Sequence, residues 1–201
     1  TMGRSIQVFM GSPREHGNTQ TLCGWIAEAA RSAGASVELV DAARLDYKVN
    51  GCIACMGCQA LPEFECVVRD AAHPVLARMP EADVLVFATP VYFFGPSAQL
   101  KLLVDRMYSL VKFKPAEGRM EHGLGGKTLA VVASGGGDVG SGLNQVEQTF
   151  RSVAGSLGMP FESLLVPFAP QDRRELARQE AQAKGEGPNQ IDTTGHACDK
   201  R

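Results

Sequence analysis

Short apolar runs alternate with longer amphipathic stretches along most of the chain. "SIQVFMG" (5–11) reads as a strand. "TLCGWIAEAARSAG" (21–34) sets Leu22, Ile26, Ala29 and Ala30 at helical spacing and closes on Gly34. "SVELVD" (36–41) is a second strand, and a short helix at roughly 70–79 leads to a third, "DVLVFATP" (83–90). "SAQLKLLVDRMYSLV" (97–111) predicts a helix, "KTLAVVAS" (127–134) a fourth strand, and "GLNQVEQTFRSVAGSLG" (142–158) a further helix. A fifth strand lies within "MPFESLLVPF" (159–168), and "DRRELARQEAQAKG" (172–185) reads as a charged, exposed helix.

The third and fourth strands are apolar on both faces, as strands are in a parallel sheet covered by helices on each side. Strand–helix alternation repeated five times predicts a doubly wound α/β fold. The chain has 201 residues, 44% of them hydrophobic and 21% charged, which suits one domain over 1–185 followed by a polar tail at 186–201. A net charge of −2 shows no basic bias toward nucleic acid or an anionic membrane surface, and no apolar run is long enough to span a bilayer. "TMGRSIQVF" lacks the apolar stretch of a secretory leader, so Met2 is the expected native start and the cytoplasm the expected compartment.

Open α/β sheets bind ligands at the carboxyl ends of their strands. After the first strand comes "GSPREHGNTQT" (11–21), where Gly11 is expected to turn the backbone sharply out of the strand. Ser12, Asn18 and Thr19 carry short polar side chains just ahead of a helix, and Arg14 adds a charge. Helix-start N–H groups attract an anion, and without a Walker lysine the loop suits a monophosphate. It also reads as a plain helix cap. After the third strand, Tyr92, Phe93 and Phe94 crowd one turn stiffened by Pro90 and Pro96. They offer a platform for a planar ring, or packing for the next helix or a second subunit. After the fourth comes "SGGGDVGSG" (134–142), whose glycines predict close backbone approach. It contains G-x-G-x-x-G, but on the fourth strand rather than the first, where a dinucleotide fingerprint belongs.

Four of the six cysteines fall in "CIACMGCQALPEFEC" (52–66): Cys52, Cys55, Cys58 and Cys66, spaced C-x2-C-x2-C-x7-C. In a reducing compartment such a cluster points to metal or redox chemistry before a structural disulfide. Three cysteines at two-residue gaps can wrap one corner of an iron–sulfur cubane, with the fourth closing the site. Zinc and bare thiols remain alternatives, although structural zinc usually takes two separated pairs. Cys23 lies on the apolar side of the first helix and is expected in the core. Cys198 and His196 lie in the tail. His16, His73 and His122 suggest solvated roles, and Asp105 with Arg106 a helix-end or interface pair. No nucleophile–base–acid triad emerges, which fits a protein whose cofactor carries the chemistry.

Together, "GSPREHGNT", "TPVYFFGPSAQLKLLVDR" and "SGGGDVGSG" resemble the flavodoxin-like NAD(P)H-dependent FMN reductases over roughly residues 5–168. The cysteine run at 50–68 is similar to that of the iron–sulfur flavoprotein branch. The resemblance implies a five-stranded parallel sheet in the order 2-1-3-4-5, helices on both faces, with FMN at the switch point. It implies that Ser12, Arg14, Asn18 and Thr19 hold the FMN phosphate and that Pro90, Val91, Tyr92, Phe93 and Phe94 line the isoalloxazine. Ser134, Gly135, Gly136 and Gly137 would offer backbone groups to the ring's polar edge. Cys52, Cys55, Cys58 and Cys66 would ligate a [4Fe–4S] cluster that exchanges electrons with FMN. NAD(P)H or ferredoxin is the implied donor, a small molecule the acceptor, and a homodimer or homotetramer the assembly. Two other functions fit the residues: an NAD(P)H-dependent FMN or quinone reductase without a cluster, and a non-enzymatic carrier like flavodoxin. The absence of a strongly acidic surface weighs against the carrier.

Overall fold

A computed structural model describes residues 3–172 together with Glu175, Leu176 and Arg178. The helix expected at 172–185, the tail at 186–201, His196 and Cys198 fall wholly or mostly outside the described residues.

The chain opens with β1 (Ser5–Met10), α1 (Asn18–Ser32) and β2 (Ser36–Val40). The cysteine segment follows and contains one helical turn, α2 (Gly57–Ala60). Next come α3 (Ala72–Arg78), β3 (Val84–Tyr92), a two-residue β4 (Gly95–Pro96) and α4 (Ala98–Arg106). β5 (Val111–Lys114) and β6 (Arg119–His122) precede β7 (Thr128–Ser134), α5 (Asn144–Ser156) and β8 (Phe161–Val166). The main sheet runs β2-β1-β3-β7-β8, all parallel, which is the predicted order 2-1-3-4-5. β4 folds back on the end of β3 as an antiparallel addition.

Apolar residues on both faces of the central strands produce two packed layers. Val8, Val86, Ala88 and Val132 face Leu22 and Cys23 of α1. Phe9, Phe87, Leu129 and Val131 face the opposite layer, with Leu76 of α3, Leu103 of α4 and Phe150 of α5. Phe87 stacks on Phe9 and on Phe150, with ring centroids at 4.8 and 5.2 Å, and so ties β1, β3 and α5 together. No helix among the described residues is long and apolar enough to cross a membrane.

Two expectations are corrected. The helix predicted to reach 111 ends at Arg106, followed by a tight turn and a β5–β6 hairpin that the sequence reading did not assign. Val111 and Lys112 are buried, Phe113 is exposed, and Gly118 adopts φ +62 at the turn, so tertiary pairing overrides helical spacing there. Gly11 is needed for proximity rather than for a sharp turn. A Cβ there would stand 2.5 Å from Cβ of Leu100 and 3.1 Å from the Ala88 carbonyl oxygen.

Candidate functional site

β1, β3 and β7 end along one rim of the sheet, and their loops converge. Ser12, Arg14, Asn18 and Thr19 line one side of a cleft of about 340 Å³. Pro90, Val91 and Tyr92 line another, and Ser134, Gly135 and Gly136 a third. That volume lies within the usual range for small-molecule sites. Phe93, Phe94 and Gly137 do not line it. Phe93 is 98% exposed and Phe94 is also exposed, with their rings edge to face at 5.8 Å.

The end of the cleft at α1 suits an anion. Asn18 and Thr19 are the first residues of α1 rather than its forerunners. The capping residue is Gly17, no side chain caps this end, and no acid lies in the first turn. The helix therefore presents uncapped N–H groups and the positive end of its dipole. Ser12 Oγ accepts from the Arg14 backbone N–H at 3.2 Å, which folds the loop toward the cleft.

A fourth wall, after β8, was missed in the sequence. Ala169, Pro170 and Gln171 line the cleft beside Gly17. Asn18 Nδ2 donates to the Pro170 carbonyl at 2.8 Å, and Arg14 Nη2 to the Gln171 carbonyl at 3.1 Å. Asn18 Oδ1 is buried and has no hydrogen-bond partner among the described residues. It is a buried acceptor on a residue that lines the cleft. Applying the strand-end rule to the fifth strand would have found this wall.

In the glycine loop, the Gly135 N–H bonds to the Val166 carbonyl, and the Gly135 and Gly137 carbonyls accept from Ala169 and Phe168. Three of its backbone groups thus tie the end of β7 to the 166–169 segment. Gly142, at φ +116, allows that loop to press on the aromatic turn, since a Cβ would meet Val91 Cγ1 at 2.5 Å. The aromatic turn itself places Phe93 at φ 46 and Phe94 at φ 67, the left-handed region that bulky residues rarely occupy. Strain of this kind gathers at ligand clamps and interfaces.

Cys52, Cys55, Cys58 and Cys66 line a separate cavity of about 20 Å³, together with Gly51, Met56, Arg106 and Tyr108. Cys52 and Cys55 are exposed, Cys58 is buried and Cys66 is half-buried; no disulfide joins any of them. Ala54 (φ 52) and Met56 (φ 58) take left-handed conformations that curl the chain around this space. Gln59 fixes α2 to the β5 strand by donating to the Val111 carbonyl at 2.9 Å and accepting from the Phe113 N–H at 3.0 Å. Lys112 donates to the Cys58 carbonyl. Thiolates are soft donors suited to iron–sulfur or zinc chemistry. The thiols share the cavity without converging: no three His, Cys, Asp or Glu side chains among the described residues form a ready metal centre.

Arg106 does not pair with Asp105, which instead meets Lys101. It turns inward, 2.6 Å from Asp70, with both side chains 1% exposed. Burial pushes the Asp70 carboxyl up, but hydrogen bonds from Arg106 and from the Lys48 and Ala72 N–H groups hold it below its ordinary range. Cys23 is in the core as expected, where burial pushes its thiol up to about 12. His16, His73 and His122 line neither cavity, and His73 faces Glu65 at 3.2 Å.

The family model described as NADPH-dependent FMN reductase matches residues 5–168. The chain belongs to that family. The NADPH-dependent FMN reductases are flavin-dependent oxidoreductases, and this member falls in their iron–sulfur flavoprotein branch. An iron–sulfur flavoprotein of Methanocaldococcus jannaschii is 36% identical over 141 residues, 70% of this chain and 68% of the relative. An FMN-dependent NADH:quinone oxidoreductase of Thiobacillus denitrificans is 37% identical over 109 residues, 53% of each protein. Among solved structures, an NAD(P)H:quinone oxidoreductase from Methanothermobacter marburgensis superimposes with a TM-score of 0.65. It shares 16% identity and covers 91% of this chain and 98% of its own, a likeness of fold alone.

Proposed function

We propose that this FMN reductase homologue also carries a [4Fe–4S] cluster on Cys52, Cys55, Cys58 and Cys66, and moves electrons between it and FMN. The observation that carries the reading is that cysteines spread over fifteen residues line one cavity, separate from the flavin cleft. Bound FMN takes two electrons or one, and the cluster one at a time. The protein's part is placement. The α1 N-terminus and Arg14 neutralise the FMN phosphate. Asn18 would lie beside the ribityl chain, and Val91 and Tyr92 would supply an apolar wall for the ring. Left-handed backbone at Ala54 and Met56 curls the loop that carries the thiols.

NAD(P)H or ferredoxin serves as donor and a small molecule as acceptor; names of relatives supply the nicotinamide and quinone alternatives. Phe93 and Phe94 extend from the turn into solvent, which supports a homodimer or homotetramer covering them. The compartment we propose is the cytoplasm, and 1–185 acts as one domain.

Anaerobic reconstitution, absorption spectroscopy and iron analysis test this. Cys55→Ser should lose the cluster and keep FMN. Loss of both together would show that the sites are not separate, and one zinc per chain would replace the cluster reading. A second reading, an NAD(P)H-dependent FMN or quinone reductase without a cluster, draws on thiols that do not converge. Rapid NADPH-driven bleaching of flavin in iron-free protein would favour it.

A further inference from the structure

Arg106 is among the largest fully buried side chains of the protein, and it lines the cysteine cavity. Two of its nitrogens are committed. Nη1 donates to Asp70 Oδ1 at 2.8 Å and to Oδ2 at 2.6 Å, and Nη2 donates to the Val68 carbonyl at 3.0 Å. Nε is buried and has no hydrogen-bond partner among the described residues. A buried donor on a charged group is rarely left unmade without a reason. The nearest cysteine in the chain is Cys66, which lines the same cavity as Arg106 and stands two residues before Val68, the residue whose carbonyl Nη2 already holds.

We propose that Arg106 is a positioning residue for the cysteine site, its Nε–H donating to the sulfur that Cys66 contributes when the cluster is bound. The proposal rests on the cluster reading above. The chemistry follows from charge. A thiolate-ligated cluster becomes more negative when it accepts one electron from a reductant. A fixed N–H donor at a ligand sulfur therefore favours the reduced form and raises the potential. Asp70 locks the fork and prevents the donor from turning away. Because Val68 and Asp70 lie just beyond Cys66, the same clamp also sets where that last ligand sits.

Two variants test this. Arg106→Lys keeps the charge and removes Nε. Arg106→Gln combined with Asp70→Asn removes both charges and keeps a polar pair, so that a misfolded single variant does not end the experiment. Each is reconstituted anaerobically with ferrous iron and sulfide, assayed for iron per chain, and titrated with dithionite under EPR. The expected result is a cluster in both, with the one-electron reduction constant lowered about tenfold, or ~59 mV, and faster iron loss to a chelator. The FMN potential stays as in the wild type. Folded variants with unchanged cluster potential and iron loss, and only a lower melting temperature, would overturn the proposal, leaving Arg106 as a clamp between loop and helix. Wild-type protein that takes up no iron would instead overturn the cluster reading, and this inference with it.

Discussion

Ser97 Oγ donates a 2.5 Å hydrogen bond to the carbonyl oxygen of Gly11, a residue 86 positions earlier in the chain. The same oxygen caps α4 by accepting from the Leu100 N–H at 3.3 Å, and the Ser97 N–H reaches Thr89 Oγ1 at 2.9 Å. One buried serine thus joins the anion loop, the end of β3 and the start of α4. Ser97→Ala would leave the Gly11 carbonyl and the helix end without this partner. It should lower stability by about 1–2 kcal/mol in denaturant titrations. Flavin affinity should fall with it, since two walls of the cleft lose their common tie.

Gly11→Ala should act on the same junction by crowding. The added methyl would sit 2.5 Å from Leu100 Cβ, an atom that cannot swing away as a side-chain tip could. We expect about 1–3 kcal/mol of destabilisation from the forced shift of α4. Unchanged melting and unchanged FMN binding would contradict the packing described.

The aromatic turn offers an engineering test. Left-handed φ at both central positions is the geometry that Asn-Gly supplies without strain. Replacing Phe93 by Asn and Phe94 by Gly should therefore stabilise the isolated chain by roughly 1 kcal/mol, a rise of about 2–4 °C in Tm. Flavin retention or self-association, read by sedimentation with and without FMN, should decline. A gain in both stability and flavin retention would remove any functional role from these rings.

Asp70 predicts an acid limb. Its carboxyl is held below the ordinary value of about 3.9, so its contribution is complete above that pH. The contribution is lost as pH falls through the lower, folded value. Asp70→Asn should flatten that part of the stability profile. It should also cost about 3–5 kcal/mol at neutral pH, because Arg106 is left buried and unpaired.

Cys23 should be chemically silent. With its thiol pushed up to about 12 by burial, native protein at pH 8 should show no alkylation there, while exposed Cys52 and Cys55 react in the iron-free form. Early labelling of Cys23, seen by peptide mass mapping, would mean that α1 opens readily from the sheet.

Much of this was legible in the chain. Val8–Phe9 and Leu85–Val86–Phe87 are apolar on both faces, and that alone demands a covered parallel sheet. Ser12, Tyr92 and Gly135 sit at strand ends, so a single topological rule located the cleft. The hairpin at 111–122 was hidden because Val111, Lys112 and Phe113 continue a helical sequence until a distant partner, Gln59, takes up their backbone groups. Arg106 was hidden for a related reason. Its partner Asp70 is 36 residues away, while Asp105 beside it offered a more obvious but wrong match.

α4 starts just after the serine that binds the Gly11 loop and ends at the arginine that lines the cysteine cavity. Its nine residues span about 14 Å. A rigid rod, rather than a loop, therefore serves as the spacer between the cleft and the cysteine cavity. Loop breathing can retune either of them, but the interval within one polypeptide is built in. For the proposed flavin and cluster, any shorter hop would have to cross a boundary with another copy.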